Sequence, residues 1–194
     1  MRIISGKARG IRLTAPVGAV VRPTEDRVKE TLFACLGDLT GLTVLDLFSG
    51  TGGLGLEAVS RGAAKVFLVE RDAGQIAALQ TNLATVAKAM PEATGTAQIL
   101  HADVRQLPGL LPPVCHGSID LILADPPYHP APNDFGAAEL LNFKELTPFL
   151  TPGCRLALEQ ATGTGLPWAP FSAWRLHRQK SFGIRMLSFA SLIS

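Results

Sequence analysis

Residues 44–55 read VLDLFSGTGGLG, and the order of features in this stretch decides the fold. A short apolar run comes first and predicts a buried β-strand over residues 43–48. The glycine-rich turn behind it leads into a segment that predicts a helix over residues 54–60. Glycines in such a turn let the main chain approach a ligand closely, and the free N–H groups at a helix start favour an anionic group. The stretch therefore predicts a strand, a ligand-binding turn and a helix.

The alternation of strands and helices continues towards the C-terminus. Further strands are predicted over 65–70, 97–100, 119–124 and 155–159, and helices over 73–88 and 137–146. Apolar strands that alternate with helices predict a parallel sheet covered on both faces. Residues 174–180 and 184–193 are separated only by Ser-Phe-Gly, which predicts an antiparallel hairpin. We therefore expect an α/β fold, a Rossmann-like doubly wound, mostly parallel seven-stranded sheet that ends in a C-terminal antiparallel hairpin.

The chain upstream of this alternating region has a different pattern. The sequence GKARG lies between two short apolar segments, which predicts a small basic β-hairpin with strands over 2–5 and 11–14. A proline-threonine pair followed by acidic residues predicts that a helix begins next. We therefore expect a hairpin extension over residues 1–22 and a main domain over residues 23–194.

Basic residues gather at the two ends of the chain, although the formal net charge is only +2 at pH 7. Residues 1–24 carry five basic residues and no acidic one, and residues 160–194 carry four basic residues and no acidic one. The segment between them is consequently acidic. Because phosphates reward clustered Lys and Arg, the pattern favours a polyanionic partner that touches the ends of the chain. Ordinary solvated surface charge is the alternative interpretation.

The composition of the 194 residues, 47% hydrophobic and 18% charged, is typical of one folded domain and excludes a disordered chain. No apolar run approaches the roughly 18 residues of a membrane helix. The first residues lack the apolar core of a signal peptide, so we expect a cytoplasmic protein without a membrane partner. The three cysteines lie far apart, which favours reduced thiols. The histidines show no metal-ligand spacing, so no metal is expected.

Acidic residues lie at or near the ends of four predicted strands in succession. They are Asp46, Glu70, Asp103 and Asp125. In a doubly wound sheet the carboxyl ends of the strands are where ligands bind. Glu70 follows Gly50 by 20 residues, and a carboxylate at that place can accept hydrogen bonds from both hydroxyls of a ribose. Asp103 could reach the amino group of an adenine.

The sharpest motif is Asp125-Pro126-Pro127-Tyr128, directly after the fourth of these strands. Two prolines stiffen the turn and hold it extended, so the carboxylate of Asp125 and the carbonyl of Pro126 form a fixed pair of acceptors. A planar exocyclic amine has two N–H donors that fit such a pair. Tyr128 offers a ring face on which a base can stack. The motif therefore predicts chemistry at an amino group of a nucleobase.

Together with the glycine turn, this motif resembles the (D/N/S)-P-P-(Y/F) motif of class I S-adenosylmethionine-dependent methyltransferases that act on amino groups. Two N-terminal stretches, RIISGKARG over 2–10 and RPTEDRVKETLF over 22–33, look like the signature of the RsmD family. The resemblance covers nearly the whole chain and implies methylation of the N2 amine of a guanine in small-subunit (16S) ribosomal RNA. Ala8 departs from the family pattern, which usually has a large aromatic residue there.

The resemblance also implies roles for individual residues. The catalytic residues would be Asp125, Pro126 and Tyr128. The cofactor, S-adenosylmethionine, would be held by Asp46, Phe48, Gly50, Gly52, Glu70, Asp103, Arg22 and Thr24. RNA would be bound by Arg2, Lys7, Arg9, Arg12, Arg27 and Lys180. The implied partner is small-subunit ribosomal RNA, in an assembling or assembled subunit, and we expect the protein to act as a monomer.

Three alternatives stay open at this stage. A DNA adenine-N6 or cytosine-N4 methyltransferase can share Asp-Pro-Pro-Tyr, although this chain is short for an enzyme with a separate DNA-recognition domain. Gly50, Gly52 and Gly55 also match the G-x-G-x-x-G pattern of a dinucleotide-dependent oxidoreductase, which leaves the motif at Asp125 unexplained. A non-catalytic RNA-binding or assembly factor could use the same fold.

Overall fold

The computed structural model describes residues 1–16, 24–91, 96–128, 130–131 and 134–193. The strands are β1 (Thr43–Leu47), β2 (Lys65–Glu70), β3 (Ala97–His101), β4 (Ile119–Ala124), β5 (Leu150–Ala161), β6 (Trp174–Phe182) and β7 (Arg185–Leu192). The helices are α1 (Thr24–Leu36), α2 (Gly55–Ser60), α3 (Ala73–Ala89), α4 (Leu107–Leu110) and α5 (Ala137–Leu141). Single 3-10 turns cover Val104–Gln106 and Pro113–Cys115, and a longer one covers Lys144–Phe149.

Within the described residues the strands form one seven-stranded sheet in the order β3-β2-β1-β4-β5-β7-β6. The pairs β1/β2, β2/β3 and β4/β5 are parallel, whereas β5/β7 and β6/β7 are antiparallel. The predicted fold class, including the C-terminal antiparallel hairpin, is confirmed. Two compact units divide the chain, Met1–Asp103 and Val104–Ser194. The predicted boundary between residues 22 and 23 falls outside the described residues.

The core of the first unit is built from the apolar strands β1 and β2. Val44, Leu45 and Leu47 of β1 have essentially no exposed surface. Helix α3 begins at an N-cap, Asp72, whose side chain accepts a hydrogen bond from the main-chain N–H of Gln75 at 2.8 Å. This rigid frame fixes where β1 and β2 end, and those ends carry the candidate site.

The N-terminal hairpin is present, and hydrogen bonds both within it and to α2 hold it in place. Its ladder consists of an isolated bridge between Arg2 and Arg12, so the predicted strands over 2–5 and 11–14 are wrong in extent. The physical reason is competition for main-chain N–H groups. Those of Ile4 and Ser5 donate to the buried carboxylate of Glu57, at 2.7 and 2.9 Å.

In the second unit the predicted helix over 137–146 is shorter than expected. Helix α5 ends at Leu141, where the main-chain N–H of Asn142 bonds three residues back to Glu139. A 3-10 turn with Pro148 inside follows, and proline removes a donor that a continuing α-helix would need. Strand β5 is longer than the predicted 155–159 because it pairs with β7 as far as Ala161.

None of the helices in the described residues combines the length and the apolar character that crossing a membrane requires.

Candidate functional site

The glycine turn after β1 contains three residues with positive φ angles. Gly50 and Gly52 have φ angles of +54° and +88°, and Phe48, which is not a glycine, has φ of +61°. Among the described residues a Cβ at Gly50 would meet only Gln75 Oε1, at 4.0 Å, so the described part of the chain leaves the space beside this residue open. A Cβ at Gly52 would lie 2.5 Å from Leu79 Cδ1, so Gly52 is required for packing. The open side of the turn is therefore at Gly50.

Asp46 is buried beneath this turn with one carboxylate oxygen unused. Its exposed fraction is 1%, and Oδ2 accepts a hydrogen bond from the main-chain N–H of Gly55 at 2.8 Å. Oδ1 has no hydrogen-bond partner in the part of the chain that the structure describes. Burial, opposed by the bond from Gly55 and reinforced by the charge of Glu70, raises the pKa of Asp46 to about 7. A buried acceptor of this kind suits a cationic ligand group.

Glu70 links the end of β2 to the glycine turn. Its Oε2 accepts the main-chain N–H of Gly50 at 2.8 Å, and its Oε1 accepts those of Arg71 and Asp72, both at 2.8 Å. Asp103, two residues past β3, lies 3.5 Å from the guanidinium of Arg71. The first unit therefore holds acidic side chains at the carboxyl ends of three neighbouring parallel strands, as predicted.

The second unit carries the Asp-Pro-Pro-Tyr corner at the end of β4. Asp125 is exposed, Pro126 is buried and Tyr128 is half-buried. The Tyr128 hydroxyl donates a 2.5 Å hydrogen bond to Glu159 Oε1, which also accepts a 3.0 Å bond from Arg185 Nη1. Burial and the hydrogen bond to Glu159 raise the pKa of Tyr128 above its usual value.

Two predicted cofactor residues lack a described side chain. Arg22 lies outside the described residues, and Thr24 begins α1 with its side chain outside the described part.

The residues predicted to bind RNA are mostly at the surface. Arg2, Lys7, Arg9, Arg12 and Arg27 are exposed, and Lys180 on β6 is half-buried. Arg2 forms a 3.0 Å ion pair with Asp26. Ala8, by contrast, is buried, and its main-chain N–H donates to Ser60 Oγ at 2.9 Å.

Sequence reasoning missed the polar residues that hold these parts in place: the buried Lys29, Glu57, Asn82 and Glu159, and the half-buried Arg185. The first three join the N-terminal segment to α2 and α3 through long-range contacts that no local pattern shows. Glu159 was detectable in principle, because it is an acid at the end of the predicted strand 155–159, like the acids of the other strands. Within the described ranges no three His, Cys, Asp or Glu side chains come close enough together to hold a metal ion.

Comparison with known proteins adds the following similarities. A model of the family described as Conserved hypothetical protein 95 matches residues 1–191. The chain is 34% identical to ribosomal RNA small subunit methyltransferase D of Escherichia coli, over 94% of this chain and 85% of that protein. It is 33% identical to the protein of the same name from Haemophilus influenzae, over 95% of this chain and 90% of that protein.

Solved structures are similar as well. The structure of yhhF from Escherichia coli superposes with a TM-score of 0.79 at 32% identity, covering 100% of this chain and 98% of that chain. The 16S rRNA N2-guanine methyltransferase RsmC of Thermus thermophilus, in complex with AdoMet and guanosine, gives a TM-score of 0.64 at 26% identity. That match covers 91% of this chain and 44% of the RsmC chain.

Proposed function

The chain belongs to the ribosomal RNA small subunit methyltransferase D family, and on that premise we propose that it methylates the N2 amine of a guanine in small-subunit ribosomal RNA. It is a methyltransferase, and its cofactor is S-adenosylmethionine. The names of the relatives favour this activity over DNA methylation, hydride transfer or a purely structural role.

The residues of the first unit fit this cofactor. Asp46 has a buried oxygen without a partner, which suits the ammonium of the methionine part. The open side of Gly50 leaves room for the same part, with Phe48 and Gly52 completing the turn. The Glu70 carboxylate, already oriented by three main-chain N–H groups, would accept the ribose hydroxyls. Asp103 would accept the adenine amine.

Two further residues complete the proposed cofactor contacts. Arg22 and Thr24, which belong to the signature stretch over 22–33, would meet the carboxylate of the methionine part. When bound, the cofactor supplies a methyl group that is already strongly electrophilic, so the protein's task is alignment. Positioning of this kind can contribute about 7–11 kcal/mol to lowering the barrier.

The acceptor pair of the second unit would hold the target amine. The Asp125 carboxylate and the Pro126 carbonyl accept its two N–H groups and keep the nitrogen lone pair available. Because a neutral amine becomes acidic only as it gains its new bond, Asp125 has to orient the amine and need not deprotonate it beforehand. The ring of Tyr128 would stack on the base. The observation that carries the proposal is the exposed carboxylate of Asp125 beside a buried proline at the end of β4.

The RNA would be held by the exposed basic residues of the N-terminal hairpin and α1, together with Lys180. These contacts are to phosphates and supply affinity without sequence reading. A paired guanine would have to leave its helix, so an open loop or incompletely folded RNA in an assembling or assembled subunit is the easier substrate. We propose that the protein acts on this substrate as a monomer in the cytoplasm.

The proposal is tested by methyl transfer from labelled cofactor to small-subunit RNA or particles that lack the modification. Asp125→Ala should lower turnover by about a hundredfold or more, because the amine loses its orientation, while cofactor binding is retained. Glu145→Ala is the matched control, since Glu145 is an exposed acid of the same unit outside the proposed site.

Turnover by Asp125→Ala at the level of this control would contradict the role of the carboxylate. Methyl incorporation into DNA and not into RNA would favour a DNA methyltransferase. Mass spectrometry of RNA from cells with and without the protein would then locate the modified nucleotide.

A further inference from the structure

The side chain of Tyr128 is restrained both at its backbone and at its hydroxyl group. Its Cα follows the rigid pair Pro126-Pro127, and its hydroxyl donates a 2.5 Å hydrogen bond to Glu159 on β5. Because the backbone and the hydroxyl are both held, the ring cannot rotate about χ1 without breaking the hydrogen bond to Glu159. The residue is half-buried, so it keeps part of its surface exposed.

The acceptor of this bond is itself held. Glu159 is 5% exposed, and its carboxylate forms a 3.0 Å ion pair with Arg185, whose side chain is 12% exposed. In the antiparallel ladder Glu159 lies opposite Leu187, so Arg185 is its diagonal neighbour on β7. A buried carboxylate of this kind is kept in place by its charged partner, since leaving it unpaired is costly.

We propose that Glu159 and Arg185 are positioning residues that hold the Tyr128 ring as a preformed platform for the target base. The proposal rests on the proposed function, because it assigns the ring a base to stack on. The ion pair would be complete without the tyrosine, yet the hydroxyl is directed at the same oxygen that Arg185 contacts. A ring that is oriented before RNA arrives loses less conformational freedom on binding, so the network should act on RNA affinity more than on the chemical step.

The sequence provides a direct probe, because Tyr128 is the only tyrosine of the chain. Phenolate absorbance in the near ultraviolet therefore follows this side chain alone, while circular dichroism monitors folding. In Glu159→Gln the phenol loses an anionic acceptor, with Arg185 and Asp125 still nearby, so its pKa should fall and phenolate should form at lower pH. Glu145→Gln should titrate like wild type. An unchanged titration in Glu159→Gln would overturn the network.

Kinetics test the platform itself. Tyr128→Phe keeps the ring and leaves the ion pair intact, so a purely structural role of Glu159 and Arg185 predicts wild-type kinetics for this variant. We expect instead that Tyr128→Phe and Glu159→Gln each raise the KM for RNA by about fivefold or more, with kcat within about twofold. In the double variant the two effects should not add, because Tyr128→Phe removes the same hydrogen bond that Glu159→Gln weakens, a neutral amide being a weaker acceptor than a carboxylate.

Additive effects, or a wild-type KM in Tyr128→Phe, would overturn the platform. If Glu159→Gln folds poorly because Arg185 is left unpaired, the double variant Glu159→Gln/Arg185→Met removes both charges and takes its place. Failure of the wild-type protein to methylate any RNA would instead contradict the proposed function. The tyrosine titration would still report on the contacts among Tyr128, Glu159 and Arg185. The two failures are therefore distinguishable.

Discussion

At Asp46, burial and charge oppose each other. The side chain is almost completely buried and has a pKa raised to about 7, yet one of its oxygens lacks a partner among the described residues. An ionised carboxylate in this position is unfavourable until a cation approaches it. The protonation state of Asp46 is therefore linked to binding of the cationic ligand that the glycine turn is proposed to receive.

Cofactor affinity should depend on pH through this residue. Binding of an ammonium favours the ionised carboxylate, so the affinity for S-adenosylmethionine should fall about tenfold from about pH 8 to about pH 6, where the free protein is mostly protonated at Asp46. Calorimetric titration at both pH values measures this. Asp46→Asn should bind weakly and without the slope, and an equal slope in that variant would assign it to another group.

The same group should affect stability with a sign opposite to that of a salt-bridged acid. Its pKa rises on folding from 3.8 to about 7, so the native state keeps a proton that the unfolded chain has released. The free energy of unfolding should therefore fall as the pH rises through this window. Urea unfolding of the cofactor-free protein at both ends of the window, with Asp46→Asn as reference, checks the direction. A wild-type stability that rises relative to the variant would contradict it.

At the scale of elements, the N-terminal hairpin depends on one buried carboxylate. Glu57 on α2 accepts main-chain bonds from Ile4 and Ser5 and forms ion pairs with Lys29 at 3.2 Å and Arg61 at 2.9 Å. Asn82 on α3 adds bonds to the main chain of Thr14 and of Thr51 in the glycine turn, at 2.9 Å each. The hairpin is thus hydrogen-bonded to α2, the helix that follows the proposed cofactor turn.

Two glycines of the hairpin provide a matched pair of substitutions that tests how firmly the hairpin packs against α2. Gly6 and Gly10 both have positive φ, +82° and +88°. A Cβ at Gly6 would lie 1.9 Å from the carbonyl oxygen of Ser60, whereas a Cβ at Gly10 would meet no described atom within 4 Å. Both alanine substitutions should cost about 1–2 kcal/mol from the backbone conformation. Gly6→Ala should lose about 1–3 kcal/mol more through the clash.

Denaturant unfolding of the two variants gives the comparison, and limited proteolysis within residues 1–14 shows whether the hairpin has loosened. Equal losses of stability would mean that the hairpin can move away from α2 at little cost.

Elements were predictable where local pattern decides them. Strands β1, β2 and β4 are short apolar runs, and their predicted bounds differ from the observed ones by one residue at most. The hairpin strands were not, because the donors of Ile4 and Ser5 are taken by Glu57, more than fifty residues away in sequence. On α3 the burial of the polar Asn82 could not be predicted either, since its amide is satisfied by distant main-chain groups.

At the scale of the whole molecule, basic segments lie at both ends of the sequence and an acidic segment lies between them. The exposed Arg9 and Arg12 belong to the N-terminal end, and Arg175 and Arg178 on β6 belong to the C-terminal end. The sequence predicts this distribution completely, because charge needs no tertiary contact to be counted. Distances such as that between Tyr128 and Glu159 depend on strand register and could not be predicted.

Reversal of Arg9 and Arg12 to Glu should weaken RNA binding and flatten its dependence on salt. Each lost phosphate contact lowers the slope of log affinity against log salt by about 0.7–0.9, so a change of about 1–2 is expected. Binding isotherms at several salt concentrations measure it. Reversal of the exposed Lys88 and Lys144 changes the net charge equally and is the control; matching slopes in both variants would remove the hairpin from the RNA-binding surface.

Strand β6 stands at one end of the sheet order, with β7 as its strand neighbour in the described part of the chain. As an edge strand, β6 presents main-chain donors and acceptors with which the same edge of another copy can pair. Pairing of this kind is how soluble sheet proteins begin to aggregate. Arg175 and Arg178 disfavour this pairing, because the positively charged edges of two copies repel each other. Neutralising them would therefore remove a safeguard against self-association, and solubility would limit how far this strand can be redesigned.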